Sequence, residues 1–250
     1  QFISYCAKIQ VKIAVLADVH ANLEALEAVL IDVDKAGVDR IICLGDVVGY
    51  GVDPVACINR LREVDADCVL GNHDQATIDP AQLKTLNPLA REVVLRSRDL
   101  LGETERDYLQ TFAFRRVECG GVFAHANPLR PEDWAHVYLY NEVVWCMQRM
   151  DWRIGFIGHT HHQAIHCKIG EQVVPLTSAK VAVNRHQCLI NPGSVGQPRD
   201  GDWRAAYAIW EVEAKLVELQ RVEYPVEVTR NKMLQAGWPD YLAQRLGMGE

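Results

Sequence analysis

The chain has 250 residues, a formal net charge of −7, 49% hydrophobic and 24% charged side chains, values ordinary for a water-exposed globular protein with a sizeable core. The acidic balance argues against the broad basic footprint that holds nucleic acid, and no apolar run approaches the roughly 20 residues of a membrane-spanning helix. None of the 8 Cys forms a Cys-x-x-Cys pair. Cys43, Cys68 and Cys188 lie in apolar runs where a free thiol behaves as a small hydrophobe, so a reducing cytoplasm is expected.

Gln1 to Gln10 is set apart as an appended remnant, because Phe2 to Ala7 is too short for a signal core and has no basic segment before it. One domain is expected over 11–250. It opens with Val11 to His20, an apolar, β-branched run that reads as a buried strand ending in Asp18 and His20. Residues two apart on a strand point the same way, so the two side chains should converge if the extended backbone persists. Oxygen and nitrogen donors placed together suit a divalent metal such as Mn, Fe or Zn.

Leu23, Leu26, Val29, Leu30 and Val33 then recur at helical spacing, with Asn22 as cap and Gly37 as stop. Arg40 to Leu44 is a second strand, ending in Gly45-Asp46. Asp53-Pro54 starts a helix with Val55, Ile58, Leu61 and Val64 on one face. Cys68 to Leu70 is a third strand, ending in Gly71-Asn72-His73-Asp74. Each strand–helix unit thus delivers polar groups at the strand's carboxyl end, where open α/β sheets bind ligands.

Pro80 to Arg98 and Glu103 to Gln110 read as helices, either an insertion near 80–110 that covers a site or surface helices packed elsewhere. Phe112 to Val117 and Val122 to His125 form a predicted hairpin around Gly120-Gly121. A helix over Asn141 to Met150 precedes a strand, Arg153 to Ile157, that ends in Gly158-His159-Thr160-His161. Further strands are expected at Ala164 to Lys168, Gln172 to Leu176, His186 to Ile190, Ala205 to Val212 and Leu216 to Val222. A short helical tail follows Pro225.

Any one of these polar strand ends has an ordinary explanation, as a backbone-satisfying turn residue or a hydrogen-bonded core histidine. Their recurrence after successive strands points to one metal site. The set Asp18-x-His20, Gly45-Asp46, Gly71-Asn72-His73-Asp74, His125 and Gly158-His159-Thr160-His161 resembles the signature of the calcineurin-like metallophosphoesterases in order and spacing. The resemblance implies an α/β fold, a four-layer α/β/β/α sandwich of two mixed sheets flanked by helices, with two divalent ions at the strand ends. It implies Asp18, His20 and His161 on one metal, Asn72, His125 and His159 on the other, Asp46 bridging, and His73 as the catalytic histidine outside the coordination. Mn is the favoured ion, with Fe, Zn and Ni as alternatives.

The residue types suit phosphoryl chemistry. Two cations about 3.5–4 Å apart offset the negative oxygens of a phosphate ester and acidify a water that attacks as a bridging hydroxide. Asp46 can span both with its two oxygens, and Asn72 adds no further negative charge. His73 can donate to the leaving oxygen or the phosphoryl group, and Asp74 is a candidate to orient it.

The protein-phosphatase branch of that family carries Asp and Arg soon after Gly-Asp, and this chain lacks both. Gly49-Tyr50-Gly51, Asp53-Pro54 and Asn191-Pro192-Gly193-Ser194 look more like the prokaryotic small-molecule subgroup, which includes hydrolases of dinucleoside polyphosphates. Ala21 stands where many relatives have Gly, and Asn22 is either a substrate-binding residue or a helix cap. His136, His162, His166 and His186 read as structural, with His162 facing away from the metals. The aromatic residues from Trp134 to Tyr140, with Trp145, are core residues or base-stacking platforms. Arg130, Arg199 and Arg204 are phosphate clamps or solvated surface, and Asn191 to Ser194 is a structural turn. The expected function is hydrolysis of a phosphate ester or anhydride in a small molecule such as a nucleotide. A phosphoprotein phosphatase and a non-catalytic metal-binding scaffold are the alternatives.

Overall fold

The computed structural model describes residues 10–183 and 186–250, so the expectation for the first residues lies, but for Gln10, outside the described part. The first half contains β1 (Lys12–Leu16), α1 (Leu23–Lys35), β2 (Arg40–Cys43), α2 (Pro54–Glu63), β3 (Asp67–Cys68) and α3 (Asn72–Ile78). After a 3₁₀ turn, Pro80–Thr85, come α4 (Pro88–Leu100), α5 (Glu103–Gln110), β4 (Arg115–Glu118) and β5 (Gly121–Ala124). Next are α6 (Tyr140–Arg149), β6 (Ile154–Ile157), β7 (Gln163–Ile169), β8 (Gln172–Leu176), β9 (Lys180–Ala182) and β10 (Gln187–Pro192). The chain closes with β11 (Ala205–Glu211), β12 (Leu216–Val222), α7 (Val226–Gln235) and α8 (Asp240–Leu246).

The strands form two six-stranded sheets, ordered β3-β2-β1-β11-β12-β9 and β4-β5-β6-β10-β7-β8. Both are mixed: β1, β2 and β3 run parallel, as do β5, β6 and β10, and antiparallel strands complete each sheet. Side-chain alternation along β1 explains the layering. Ile13 and Val15 point between the sheets and pack with Phe123, Phe156, Ile190 and Trp210. Ala14 and Leu16 point the other way, into a cluster with Leu26 and Val29 of α1 and Ile58 and Leu61 of α2. On the far side, Val143 and Met147 of α6 cover Val122 and Leu189 of the second sheet. The result is the four-layer α/β/β/α sandwich, with parallel strand ends of both sheets opening on one edge.

Three local features depart from the sequence reading. The Gly71-Asn72-His73-Asp74 motif, read as the end of the third strand, is the start of a helix, α3. The third strand is only Asp67–Cys68, with Val69 bridging to Ala113. Cys188, expected as a free thiol, is bonded to Cys167 at an S–S distance of 2.07 Å. The physical reason is register: the two residues lie directly opposite on antiparallel β10 and β7, which puts their Cβ atoms within bonding reach although 21 residues separate them. The free-thiol expectation had rested on the apolar run around Cys188, which carries no information about a cross-strand partner. Among the described residues no helix is long and apolar enough to cross a membrane.

Alkylation of the unreduced, unfolded protein followed by peptide mass analysis is expected to leave Cys167 and Cys188 unlabelled and linked, and Cys119 labelled. Label on Cys167 and Cys188 under those conditions would contradict the cross-strand bond.

Candidate metal centre

Asp18, His20, Asp46, Asn72, His73, His125, His159 and His161 come from the ends of β1, β2, β5 and β6 and from the start of α3, and all but the partly exposed His159 are buried. They meet in overlapping groups: Asp18, His20 and His161; His20, Asp46 and His73; Asp46, His125 and His159, with donor atoms in each group within 4.8 Å of one another. Asn72 joins the last through its Oδ1, 3.1 Å from His125 Nε2.

The backbone that gathers them is not the extended strand expected from the sequence. β1 stops at Leu16, and Asp18 and His20 have φ of 53° and 47°. Asp46, His159 and His161 likewise lie at φ 52°, 67° and 61°. Left-handed backbone at a non-glycine residue costs roughly 1 kcal/mol or more, so it persists only where neighbours hold it. The two first loops hold each other: Asp18 N–H donates to Gly45 O (3.1 Å) and His20 N–H to Asp46 O (2.9 Å). The Asn191-to-Ser194 turn braces the others. Asn191 Nδ2 donates to Gly158 O (3.0 Å) and Ser194 Oγ to Asp18 O (2.7 Å). Gly71 is needed for space, since a Cβ there would collide with the backbone N and Oδ1 of Asp46.

Backbone carbonyls then set the histidine protons. His20 Nδ1 lies 3.0 Å from Val48 O, His125 Nδ1 2.8 Å from Leu44 O, and His161 Nδ1 2.6 Å from Gln197 O. A carbonyl only accepts, so each Nδ1 must carry the hydrogen, and in a neutral ring the Nε2 lone pair is left facing inward. Burial, with Asp46 opposing and His73 and Arg199 adding, pushes His20 well below the usual histidine range. Burial and the neighbouring Arg199 and His20 do the same to His161. Two buried lone pairs, His20 Nε2 and His161 Nε2, therefore face each other at 3.1 Å. That arrangement is repulsive by itself and is relieved by a cation. Asp18 Oδ1 also points here, fully buried and without a hydrogen-bond partner among the described residues. Burial raises the Asp18 carboxyl to about 7, against the pull of His125. Oriented nitrogens, an orphaned carboxylate oxygen and no thiolate fit a divalent first-row cation.

Asp46 is the shared member. Its Oδ1 accepts from His73 N–H at 2.9 Å. Its Oδ2 stands 3.4 Å from His125 Nε2 and 3.7 Å from His20 Nε2. One oxygen thus faces both donor sets, in place of the two-oxygen span expected, because the helix start has claimed the other. Burial opposes ionisation of Asp46, but His125 and His73 outweigh it and hold the carboxyl well below its usual range. Burial likewise disfavours a charged His125, and Asp46 overrides it, raising His125 to about 9.

Two further expectations are revised. Asp74 does not orient His73; its Oδ1 accepts from Val47 and Val48 N–H (2.9 and 3.2 Å) and its Oδ2 from Gly71 N–H (3.1 Å), tying the Asp46 loop to the helix start. Asn22 is the helix cap: Oδ1 accepts from Ala25 N–H (3.2 Å), and Nδ2 donates to Gly196 O (2.8 Å). It does not line the cavity above the cluster.

That cavity encloses about 380 Å³ and is lined by Asp46, Asn72, His73, His159 and His161 at its base. Its walls are Tyr50, Glu132, Asp133, Trp134, His136 and Arg199, with Gln82, Thr85, Leu86, Asn87 and Ala90 from the 80–100 segment. Burial holds His73 below the usual histidine range, with Asp46 opposing. Its Nδ1 has no partner among the described residues. Sequence reasoning used Tyr50 only as a subgroup mark and read His136 as structural, yet Tyr50 meets the His20 and His73 rings and His136 packs 4.2 Å from the His159 ring. The glycines flanking Tyr50 were the available signal. Arg130 and Arg204 do not line the cavity and pair with Asp133 and Asp202, of which Asp133 is a rim residue of the cavity, and His162 turns into a separate cleft against Tyr138.

Comparison with known proteins places this geometry. Residues 11–215 match the calcineurin-like phosphoesterase superfamily domain. An uncharacterized protein of Methanocaldococcus jannaschii is 33% identical over 254 residues, covering 95% of this chain and 98% of that one. The crystal structure of a metallophosphoesterase from Sphaerobacter thermophilus aligns with TM-score 0.84 and 37% identity over 96% of this chain and 99% of that one. A hypothetical protein from Pyrococcus horikoshii shares the fold at TM-score 0.80 and 18% identity, covering 96% and 99% of the two chains.

Asn22→Ala is expected to lower unfolding free energy by about 1–2 kcal/mol through loss of the cap and its buried hydrogen bonds, leaving KM for an aryl phosphate unchanged. Denaturant titration and steady-state kinetics check this; a raised KM at wild-type stability would restore Asn22 as a substrate contact.

Proposed function

The chain belongs to the calcineurin-like phosphoesterase superfamily, and from that premise we propose that it is a two-metal phosphoesterase hydrolysing a phosphate ester or anhydride in a small molecule such as a nucleotide or dinucleoside polyphosphate. The observation that carries the reading is the position of Asp46 Oδ2 between two donor sets. Asp18, His20 and His161 would hold one cation, Asn72, His125 and His159 the other, and Asp46 would serve both. Mn is taken as the ion, with Fe, Zn and Ni accepted by the same oxygen and imidazole donors. When bound, the pair would offset phosphoryl charge and make a water acidic enough to act as nucleophile near neutral pH.

The chain's own residues supply the rest. His73 lines the cavity beside Asp46, so it is placed to hydrogen-bond the transferring phosphoryl group or to pass a proton to the leaving oxygen. Gln82, Thr85, Leu86, Asn87 and Ala90 form one wall, which supports the 80–110 segment as a cap that limits water and substrate size. A walled cavity of about 380 Å³ favours a small phosphorylated molecule over a phosphoprotein.

With Mn²⁺ the protein is expected to hydrolyse p-nitrophenyl phosphate, and EDTA to stop it. Asp46→Asn should lose metal and activity together. His73→Ala should keep its metal while kcat falls about 100-fold or more. Since His73 also sits within the His20–Asp46 group, metal loss in His73→Ala equal to that in Asp46→Asn would make it a ligand and overturn the division of roles.

A further inference from the structure

Arg199 lies on the loop after β10, and its backbone N–H donates to His161 O at 3.2 Å. Its side chain is held on two sides. Nε and Nη2 donate to Gln197 Oε1 at 3.2 and 2.6 Å, and Cζ sits 5.3 Å from the centre of the Tyr50 ring. Neither support is free to drift. Gln197 is 1% exposed and its carbonyl is the acceptor that fixes His161, while Tyr50 packs against His20 and His73. The guanidinium is therefore registered to both the metal-donor cluster and the catalytic histidine.

Arg199 is the only Arg or Lys among the residues lining the cavity, and among the described residues it has no carboxylate partner within ion-pair distance. The Nη1 hydrogens and the second Nη2 hydrogen have no protein acceptor among the described residues. Its charge is nevertheless felt at Asp18, His20, His73, His136 and His161, groups that surround the cavity base. Its outward donors face the cavity and are open to an anion there. Its remaining Nη hydrogens can make a charge-assisted bond to a phosphoryl oxygen.

We propose that Arg199 anchors the phosphoryl group in this cavity and selects substrates that end in a terminal phosphoryl group, a monoester or the end of an anhydride chain, over phosphodiesters. The inference rests on the two-cation reading above. A terminal phosphoryl group has three non-bridging oxygens and carries up to two negative charges near neutral pH. If two oxygens met the cations, one would remain for the Arg199 guanidinium. A diester has two non-bridging oxygens and one charge, so its cation contacts leave Arg199 unmatched.

The test compares Mn²⁺-loaded wild type, Arg199→Ala and Arg199→Lys in metal content, melting temperature, inorganic phosphate affinity by calorimetry, and kcat/KM for p-nitrophenyl phosphate and bis(p-nitrophenyl) phosphate. Arg199→Ala is expected to keep its metal and melting temperature while phosphate binding weakens about 10- to 100-fold. Its kcat/KM should fall by a similar factor on the monoester and far less on the diester, with added guanidinium restoring part of the monoester rate. Arg199→Lys should lie between the two, and it decides the matter alone if Arg199→Ala does not fold. Unchanged phosphate affinity, equal losses on both esters, or phosphate affinity lost only together with metal would overturn the anchor. If the wild type turns over neither ester yet binds phosphate through Arg199, the anchor stands and the hydrolytic reading fails. If it turns over both esters with no dependence on Arg199, the reverse holds.

Discussion

Everything at the strand ends depends on backbone carbonyls that each bind an imidazole Nδ1–H. Val48, Leu44 and Gln197 supply them to His20, His125 and His161. The bond fixes each ring's orientation, and in the neutral rings of His20 and His161 it also forces the hydrogen onto the outer nitrogen so that the inner one is free to coordinate. The carbonyls are available because their residues follow strand ends and do not spend them in the ladders. The site is thus a consequence of how the sheets terminate.

Termination is itself costly. Five of the candidate ligand residues, Asp18, His20, Asp46, His159 and His161, sit in left-handed backbone that non-glycine residues avoid. What offsets that cost is the rest of the fold. Ile13, Val15, Phe123, Phe156 and Ile190 fill the space between the sheets and hold both sets of strand ends on one edge. The Asp74 carboxylate, receiving the N–H groups of Val47, Val48 and Gly71, clamps the β2 loop to α3. The Asn191-to-Ser194 turn clamps the β1 and β6 loops across the gap between the sheets. Electrostatics then completes the cluster, with Asp46 and His125 stabilising each other's charge while His20 and His161 stay neutral.

The strand–helix alternation and the polar residues at the strand ends were legible because both are repeating features, apolar runs of strand length with polar residues directly after them, whereas the four-layer arrangement and the metal roles were implied by the family resemblance. Less was legible wherever the answer depended on three-dimensional register. Asp18 and His20 were expected to converge by strand alternation, yet each sits in left-handed backbone beyond the strand end, which no periodicity encodes. Asp74 sits beside His73 in sequence, but the helix start turns it toward the Asp46 loop. Cys188 reads as an apolar-run thiol until β10 and β7 bring Cys167 opposite. Arg199 is one of several surface-compatible arginines in the sequence, and only its seat on Gln197 and Tyr50 separates it from Arg130 and Arg204.

The most direct test concerns the imidazoles themselves. Long-range ¹H–¹⁵N spectra of metal-free protein report which ring nitrogen carries the hydrogen, and titration with diamagnetic Zn²⁺ reports which one coordinates. The expected result is an Nδ1–H tautomer for His20 and His161, with their Nε2 resonances shifting on Zn²⁺ addition. Nε2–H tautomers, or Nε2 resonances indifferent to saturating Zn²⁺, would contradict a site built in advance by its carbonyls.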